Sequence, residues 1–237
     1  MTLAVAILAG GLATRMGALT RDVPKALLDV AGRPFLAHQL DLLRAAGLRR
    51  VVLCVAHLAD QIEAAIGDGR ALGLDIAYSH DGEELQGTGG ALRRALPLLG
   101  ERFLVLYGDS YLQCDYAAIA QAFRDSGKLG LMTVYRNDGL YDRSNVELRD
   151  GKIVRYDKSP GAGELTHIDW GLGGLTAEAF ASHPARGKLD LVSIYQELLA
   201  RDQLLGYEVE RRFYEIGSAA GLEETRNLLS KSPKESS

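Results

Sequence analysis

Residues 8–25 read Leu8-Ala9-Gly10-Gly11-Leu12-Ala13-Thr14-Arg15-Met16-Gly17-Ala18-Leu19-Thr20-Arg21-Asp22-Val23-Pro24-Lys25. The apolar run at 3–9 predicts a strand, and it ends in two glycines followed by a polar loop that carries an Arg and a Lys. Glycines let a backbone turn sharply and leave its N–H groups open to a phosphate, because no Cβ stands in the way. Arg15 and Lys25 can then neutralise a polyphosphate, the Arg as a fork and the Lys as a point charge. A loop of this kind at the carboxyl end of the first strand is where an open α/β sheet holds a nucleotide.

Two familiar phosphate loops are excluded. Walker A needs Gly-x-x-x-x-Gly-Lys-Ser/Thr, and neither Gly-Lys-Ser nor Gly-Lys-Thr occurs in the chain. The dinucleotide fingerprint also fails, since Gly10, Gly11 and Gly17 have the wrong spacing. The 237 residues suffice for one domain with a large core. A hydrophobic content of 47% and a charged content of 24% suit a globular protein. A net charge of −4 argues against a general nucleic-acid binder, which shows a basic stripe, and leaves room for a local cationic pocket. The N-terminus lacks the basic region of a signal peptide, and no run approaches a membrane span. Cys54 and Cys114 form neither a metal spacing nor a disulfide framework, and Cys54 reads as a small core residue. No nucleic-acid or membrane partner is expected, and a reducing cytoplasm is the expected setting.

Strand-like and helix-like stretches alternate through the first half. Strands are predicted at 3–9, 50–56, 74–79 and 103–107, with helices at 35–46 (closed by Gly47), 58–66 and 89–99. Runs such as Val51-Val52-Leu53-Cys54-Val55 predict strands buried on both faces of a parallel sheet. After Asp109 the pattern changes. A helix at 116–125 and a strand at 129–135 precede a hairpin, 145–149 with 152–156, whose turn is Asp150-Gly151. Strands at 168–175 and 205–209, helices near 176–182 and at 191–200, and a last helix at 218–229 complete the reading. The expected fold is α/β: a Rossmann-like, mostly parallel mixed sheet flanked by helices, with a hairpin-containing insertion in the second half. A single domain spans 1–229, with halves at 1–115 and 116–229, and a disordered tail follows at 230–237.

Gly10-Gly11-Leu12-Ala13-Thr14-Arg15-Met16, Leu19-Thr20, Pro24-Lys25-Ala26-Leu27 and Gly32-Arg33-Pro34 follow one another in order. A double glycine alone reads as an ordinary strand–turn–helix junction, but the full string resembles the signature of the sugar-1-phosphate nucleotidyltransferases. Ala13 stands where that family has glycine, which stiffens the loop or turns it differently. The resemblance extends to about Leu229. It implies attack by a sugar-1-phosphate oxygen on the α-phosphorus of a nucleoside triphosphate, with release of pyrophosphate and a need for Mg²⁺. It also implies that Leu8, Ala9, Gly10 and Gly11 hold the nucleotide. Arg15 and Lys25 would steady the triphosphate and the transition state.

Further residues take roles from the same resemblance. Asp109, in Gly108-Asp109-Ser110 at a strand end, resembles the family's metal-binding Asp. Glu215, in Tyr214-Glu215-Ile216-Gly217-Ser218, stands where the second metal carboxylate is usually Asp, one methylene shorter, and Ser218 reads as the cap of the last helix. Lys158, in Tyr156-Asp157-Lys158-Ser159-Pro160, resembles a lysine that contacts the sugar phosphate. Gln86, Gly87 and Thr88 open a helix whose backbone N–H groups can face the base and ribose, with Thr88 capping that helix and Gln86 reading a base edge. Asn145, Asp169 and Gly171 are placed in the sugar pocket, while Trp170 reads as core packing. The five histidines show no metal spacing, and the Arg pairs read as solvated faces.

Gly87-Thr88-Gly89-Gly90-Ala91 looks most like the branch that makes GDP-heptose or GDP-mannose. The implied pair is therefore GTP with a manno-configured heptose- or hexose-1-phosphate. The alternatives are UTP with N-acetylmuramate-1-phosphate, dTTP with glucose-1-phosphate, a cytidylyltransferase, and a catalytically silent nucleotide-sugar-binding regulatory protein. A homodimer is the family-like assembly.

Overall fold

The computed structural model describes residues 2–11, 14–82, 85–159 and 165–231, without the side chains of Thr14, Arg15 and Ala18. The strand predicted at 3–9 forms as β1 (Ala4–Leu8), in the middle of the sheet. Outward on one side lie β2 (Arg50–Val55) and β3 (Asp75–His80), and on the other side lies β4 (Arg102–Tyr107); all four run parallel. Alternate side chains of these strands point to opposite faces. Val5, Ile7, Leu53, Val55, Leu104 and Leu106 enter one apolar cluster, and Ala4, Ala6, Val52, Cys54, Phe103 and Val105 enter a second. Both faces are buried, which is why the strands read as continuous apolar runs.

The described helices are α1 (Phe35–Ala45), α2 (Ala59–Ile66), α3 (Gly87–Leu99), α4 (Tyr116–Asp125), α5 (Leu191–Ala200) and α6 (Ala219–Lys231). Leu36, Leu40 and Leu43 of α1, Ile62 of α2 and Ile119 and Phe123 of α4 cover the first face. Leu92, Ala95 and Leu99 of α3 and Ile194 and Leu198 of α5 cover the second. Burying each such side chain contributes about 1.5–3 kcal/mol, so the two layers are the main source of stability. Helix α1 ends as its sequence predicts. Gly47 takes φ 75°, its N–H donates to the Arg44 carbonyl at 3.0 Å, and the Leu48 N–H donates to the Leu43 carbonyl at 2.9 Å. This is the Schellman pattern that satisfies the last carbonyls.

The second half adds β5 (Gly130–Arg136), β6 (Val146–Arg149), β7 (Lys152–Tyr156), β8 (His167–Thr176) and β9 (Leu204–Val209). β8 runs antiparallel beside β4, giving the order β7-β6-β8-β4-β1-β2-β3, while β5 also pairs with β8 and β9 pairs with β5. The hairpin turn has Asp150 at φ 49° and Gly151 at φ 73°, the paired left-handed conformations expected for Asp-Gly. The fold is the predicted mixed, mostly parallel sheet between helices.

Two local expectations are corrected. The helix predicted near 176–182 is a single 3₁₀ turn, Ala177–Phe180. The last helix runs on to Lys231, so Ser230 and Lys231 are helical rather than part of a tail. Residues 232–237 lie outside the described residues. No helix among the described residues is long and apolar enough to cross a membrane.

Candidate active site

A cavity of about 420 Å³ opens at the carboxyl ends of the parallel strands, where Leu8, Ala9, Gly10 and Gly11 continue β1. The Ala9 N–H donates to the Cys54 carbonyl at 2.9 Å and the Gly108 N–H to the Leu8 carbonyl at 3.1 Å, so the three strand ends stay level. A Cβ at Gly108 would overlap the Leu8 carbonyl oxygen, and glycine here lets β4 deliver Asp109 straight to the cavity wall. The expected effect of Ala13 on the loop, and the position of the Arg15 side chain, lie outside the described residues.

Lys25, in a 3₁₀ turn after Pro24, meets Asp109 across the cavity floor, Nζ to Oδ2 2.8 Å. The Asp109 turn is held from below by Gln39 of α1, a fully buried amide. Its Nε2 donates to the Tyr107 carbonyl at 2.9 Å and to the Ser110 carbonyl at 2.8 Å, pinning the backbone on both sides of Asp109. The sequence reading missed this residue. Its signal was a polar side chain on the same face as Leu36, Leu40 and Leu43.

Glu215 comes to the same wall through a short bridge, where it pairs with Ser110 and the Ile216 N–H donates to the Asp109 carbonyl at 3.0 Å. Its carboxylate turns to the start of α6. It accepts from the Gly217 N–H and from Ser218 Oγ (2.7 Å), and Gly221 leaves it room that a Cβ would fill. Ser218 does cap α6, its Oγ accepting the Gly221 N–H at 3.0 Å. Among the described residues no group of three or more His, Cys, Asp or Glu is placed to hold a metal. Asp109 and Glu215 both reach the cavity wall, and carboxylate oxygens are the donor type that a small hard cation takes.

At one end of the cavity, Gly87 and Thr88 sit on the wall with Asp81. Thr88 does not cap its own helix. Its Oγ1 accepts the Leu191 N–H at 2.9 Å and so caps α5, and the Gly90 N–H is taken by the Leu189 carbonyl at 2.9 Å. Gln86 is absent from the cavity wall; its N–H donates to Asp81 Oδ2 at 3.2 Å and its carbonyl accepts the Leu189 N–H at 2.9 Å. Asp81, which the sequence reading passed over, is 7% exposed. Burial pushes its carboxyl above the usual range, against the opposing Gln86 N–H and the Arg94 charge.

At the other end, β8 bulges. Asp169 faces Val134 and Gly173 faces Met132, so Trp170, Gly171 and Leu172 form an excursion that aims neighbouring groups at the cavity. Gly171 has φ 101°, and a Cβ there would lie 3.0 Å from Ser110 Oγ. Asp169 Oδ2 accepts from Tyr107 OH (2.9 Å), Tyr156 OH (3.1 Å) and Lys158 Nζ (3.1 Å), while Oδ1 accepts the Gly171 N–H at 3.2 Å. Asn145 Oδ1 accepts the Asp169 N–H at 2.8 Å. Lys158 also lies 5.2 Å and 5.5 Å from the Tyr107 and Tyr156 ring centres. Burial, with the Asp169 charge, pushes both phenols far up, so both stay protonated donors. Trp170 is buried in the core and lines both this cavity and a second one. Neither tyrosine was singled out from the sequence.

Residues 5–232 match the family model described as the MobA-like NTP transferase domain. The chain is 32% identical over 228 residues to an N-acetylmuramate alpha-1-phosphate uridylyltransferase of Neisseria meningitidis, covering 94% of this chain and 96% of that protein. It is 30% identical over 217 residues to the mannose-1-phosphate guanylyltransferase catalytic subunit beta of Xenopus tropicalis, covering 89% of this chain but 60% of that relative. A putative glucose-1-phosphate thymidylyltransferase from Bacillus anthracis shares the fold at TM-score 0.87 and 19% identity, over 100% of this chain and 98% of that one. HddC from Yersinia pseudotuberculosis, complexed with GMP-PN, shares it at TM-score 0.80 and 22% identity, over 96% of this chain and 100% of that one. The chain belongs to the MobA-like NTP transferase domain family, among the sugar-1-phosphate nucleotidyltransferases.

Proposed function

We propose that the protein, as one domain over 1–229 and in the cytoplasm, transfers guanylyl from GTP to a manno-configured heptose- or hexose-1-phosphate, giving a GDP-sugar and pyrophosphate. The observation that carries the reading is the Lys25–Asp109 pair on the cavity floor, between the Gly87–Thr88 wall and the Lys158–Asp169 wall. Between them lies a cavity of about 420 Å³, with room for a nucleotide against one wall and a sugar phosphate against the other.

In this reading Lys25 and Arg15 neutralise the triphosphate, and Lys158 orients the acceptor phosphate for attack on the α-phosphorus. Positioning and fixed charge carry such transfers, because the reacting groups are all anionic. Asp109 and Glu215 would hold Mg²⁺, which screens charge on the phosphates when bound; Glu215 would do so while still bonded to the start of α6. The choice of guanine is supported by Asp81. A carboxylate keeps two acceptor oxygens even with Oδ2 bonded to the Gln86 N–H, and guanine alone among the common bases presents two adjacent donors, N1–H and N2–H.

A second reading, UTP with N-acetylmuramate-1-phosphate, is favoured by the end-to-end match to the Neisseria uridylyltransferase. Pyrophosphate release with Mg²⁺, crossing five nucleoside triphosphates against mannose-, heptose-, glucose- and N-acetylmuramate-1-phosphates, separates the two. GTP with a manno-configured sugar is the expected winner. A winning UTP–muramate pair would replace it.

A further inference from the structure

We propose that the sugar end of the cavity selects an acceptor whose only anionic group is its phosphate, and rejects sugar-1-phosphates that carry a carboxylate. The inference rests on assigning that end to the acceptor, as above. Among the described residues, its charged lining is Asp142, Asp169 and Lys158, two anions against one cation. Lys158 is already paired with Asp169 at 3.1 Å, and its remaining donors are assigned to the acceptor's own phosphate. With Lys25 and Arg15 assigned to the triphosphate, no positive charge of the described lining at this end is left for a second anion.

Among the described residues, the neighbouring cations Arg212 and Arg143 stand outside the cavity lining. Arg212, beside the lining residue Phe213, holds Glu224 with two bonds of 3.0 and 2.8 Å. Its guanidinium lies 3.8 Å from the Tyr141 ring centre and 4.4 Å from that of Tyr214. Arg143 follows Asp142 but does not line the cavity, and its backbone N–H donates to Asp142 Oδ1 at 2.6 Å. Residues 160–164, outside the described set, are Pro-Gly-Ala-Gly-Glu and hold no cation.

The uncharged groups suit a neutral sugar. Tyr107 and Asn145 also line the cavity, and neither carries a charge. A carboxylate about 6 Å from Asp142 meets repulsion worth on the order of 100-fold in binding at an effective dielectric near 20. N-acetylmuramate carries such a carboxylate on its lactyl group; mannose, glucose and the heptoses do not.

The test takes the neutral sugar-1-phosphate that turns over best, its C6-oxidised uronate, and N-acetylmuramate-1-phosphate, each with the nucleotide that supports turnover. The acceptors bearing a carboxylate are expected to show kcat/KM about 100-fold below the neutral one. Asp142→Lys, at an exposed position, should narrow the gap at least about 10-fold, and Asp142→Asn should narrow it less. A carboxylate-bearing acceptor used as well as the neutral sugar overturns the inference, as does a gap that Asp142→Lys leaves untouched. Absence of release with acceptors of either charge overturns instead the assignment of the site, and the inference falls with it.

Discussion

Lys25 Nζ lies 2.8 Å from Asp109 Oδ2, although 84 residues separate the two in sequence. Both side chains are partly exposed at the cavity floor, where an ion pair contributes little to stability. Its consequence is placement. A cation and an anion, which the proposed function assigns to phosphate and to metal, are held against each other by the turn after Pro24 and the end of β4.

Lys25→Ala should therefore cost activity without costing fold. A loss of about 10²–10³ in kcat is expected, as for removal of one fixed transition-state donor. The thermal midpoint should change by no more than about 1 kcal/mol of stability implies. Steady-state pyrophosphate release, with a melt on the same sample, checks both. Turnover within a few-fold of wild type would remove Lys25 from the transition state.

Gln39→Leu should damage both. It fills similar space but leaves the Tyr107 and Ser110 carbonyls without their buried donor, at about 1–3 kcal/mol each. The Asp109 turn loses its support, so kcat should fall at least about 10-fold even where the variant is fully folded. Denaturant titration gives the first number and single-turnover kinetics the second. A variant that is destabilised yet fully active would show that Gln39 supports the core alone.

Gly171→Ala imposes a Cβ at φ 101°, 3.0 Å from Ser110 Oγ. The backbone strain is worth about 1–3 kcal/mol. Relief must come from moving the β8 bulge, which carries Asp169, or Ser110, which adjoins Asp109. The KM for the acceptor should rise while that for the nucleotide stays near wild type, since the proposed function assigns the nucleotide to Gly87 and Thr88 rather than to the β8 bulge. Equal effects on both would contradict the division of the cavity into two ends.

These residues also show what sequence alone conveys. The strands were readable because a parallel sheet buried on both faces leaves unbroken apolar runs, and Gly47 and Asp150-Gly151 were readable because their turns are local. The wall residues Leu8 to Gly11 and Lys25 were readable because the phosphate signature is short and nearly contiguous, and Asp109 because its Gly-Asp-Ser string ends an apolar run. Gln39 was not, because its two acceptors lie 68 and 71 residues away and nothing near it marks them. Thr88 was misread for a related reason. A Thr at a helix start looks the same whether its hydroxyl caps its own helix or, as here, one 103 residues later.

Alkaline pH should destabilise the protein through its buried phenols. Burial, with the Asp169 charge, raises Tyr107 and Tyr156 above their unfolded value near 10, so the native state holds protons that the unfolded chain releases. Their stabilisation is whole below about pH 10 and falls as pH rises beyond it, by about 1.4 kcal/mol per pH unit for each such group. Urea titrations at pH 9 and 11 measure the slope, and Tyr107→Phe should lower it by about one group's share. A slope unchanged in that variant would contradict a protonated buried Tyr107.

Asp81→Asn tests the choice of base. The amide turns one acceptor into a donor, which faces the wrong way for guanine N1–H or N2–H. The ratio of kcat/KM for GTP to that for UTP should fall about 10- to 100-fold. An unchanged ratio would move base selection away from Asp81.

The most direct measurement is of the product itself. The purified protein is incubated with Mg²⁺, the best nucleoside triphosphate and the best sugar-1-phosphate, and nucleotide-sugar and pyrophosphate are quantified by mass spectrometry and a coupled assay. Both should accumulate in equal amounts, only when both substrates are present, and Asp109→Asn should abolish both. Binding of nucleotide-sugar with no product from any pair would contradict catalysis at this cavity and leave a binding protein on the same fold.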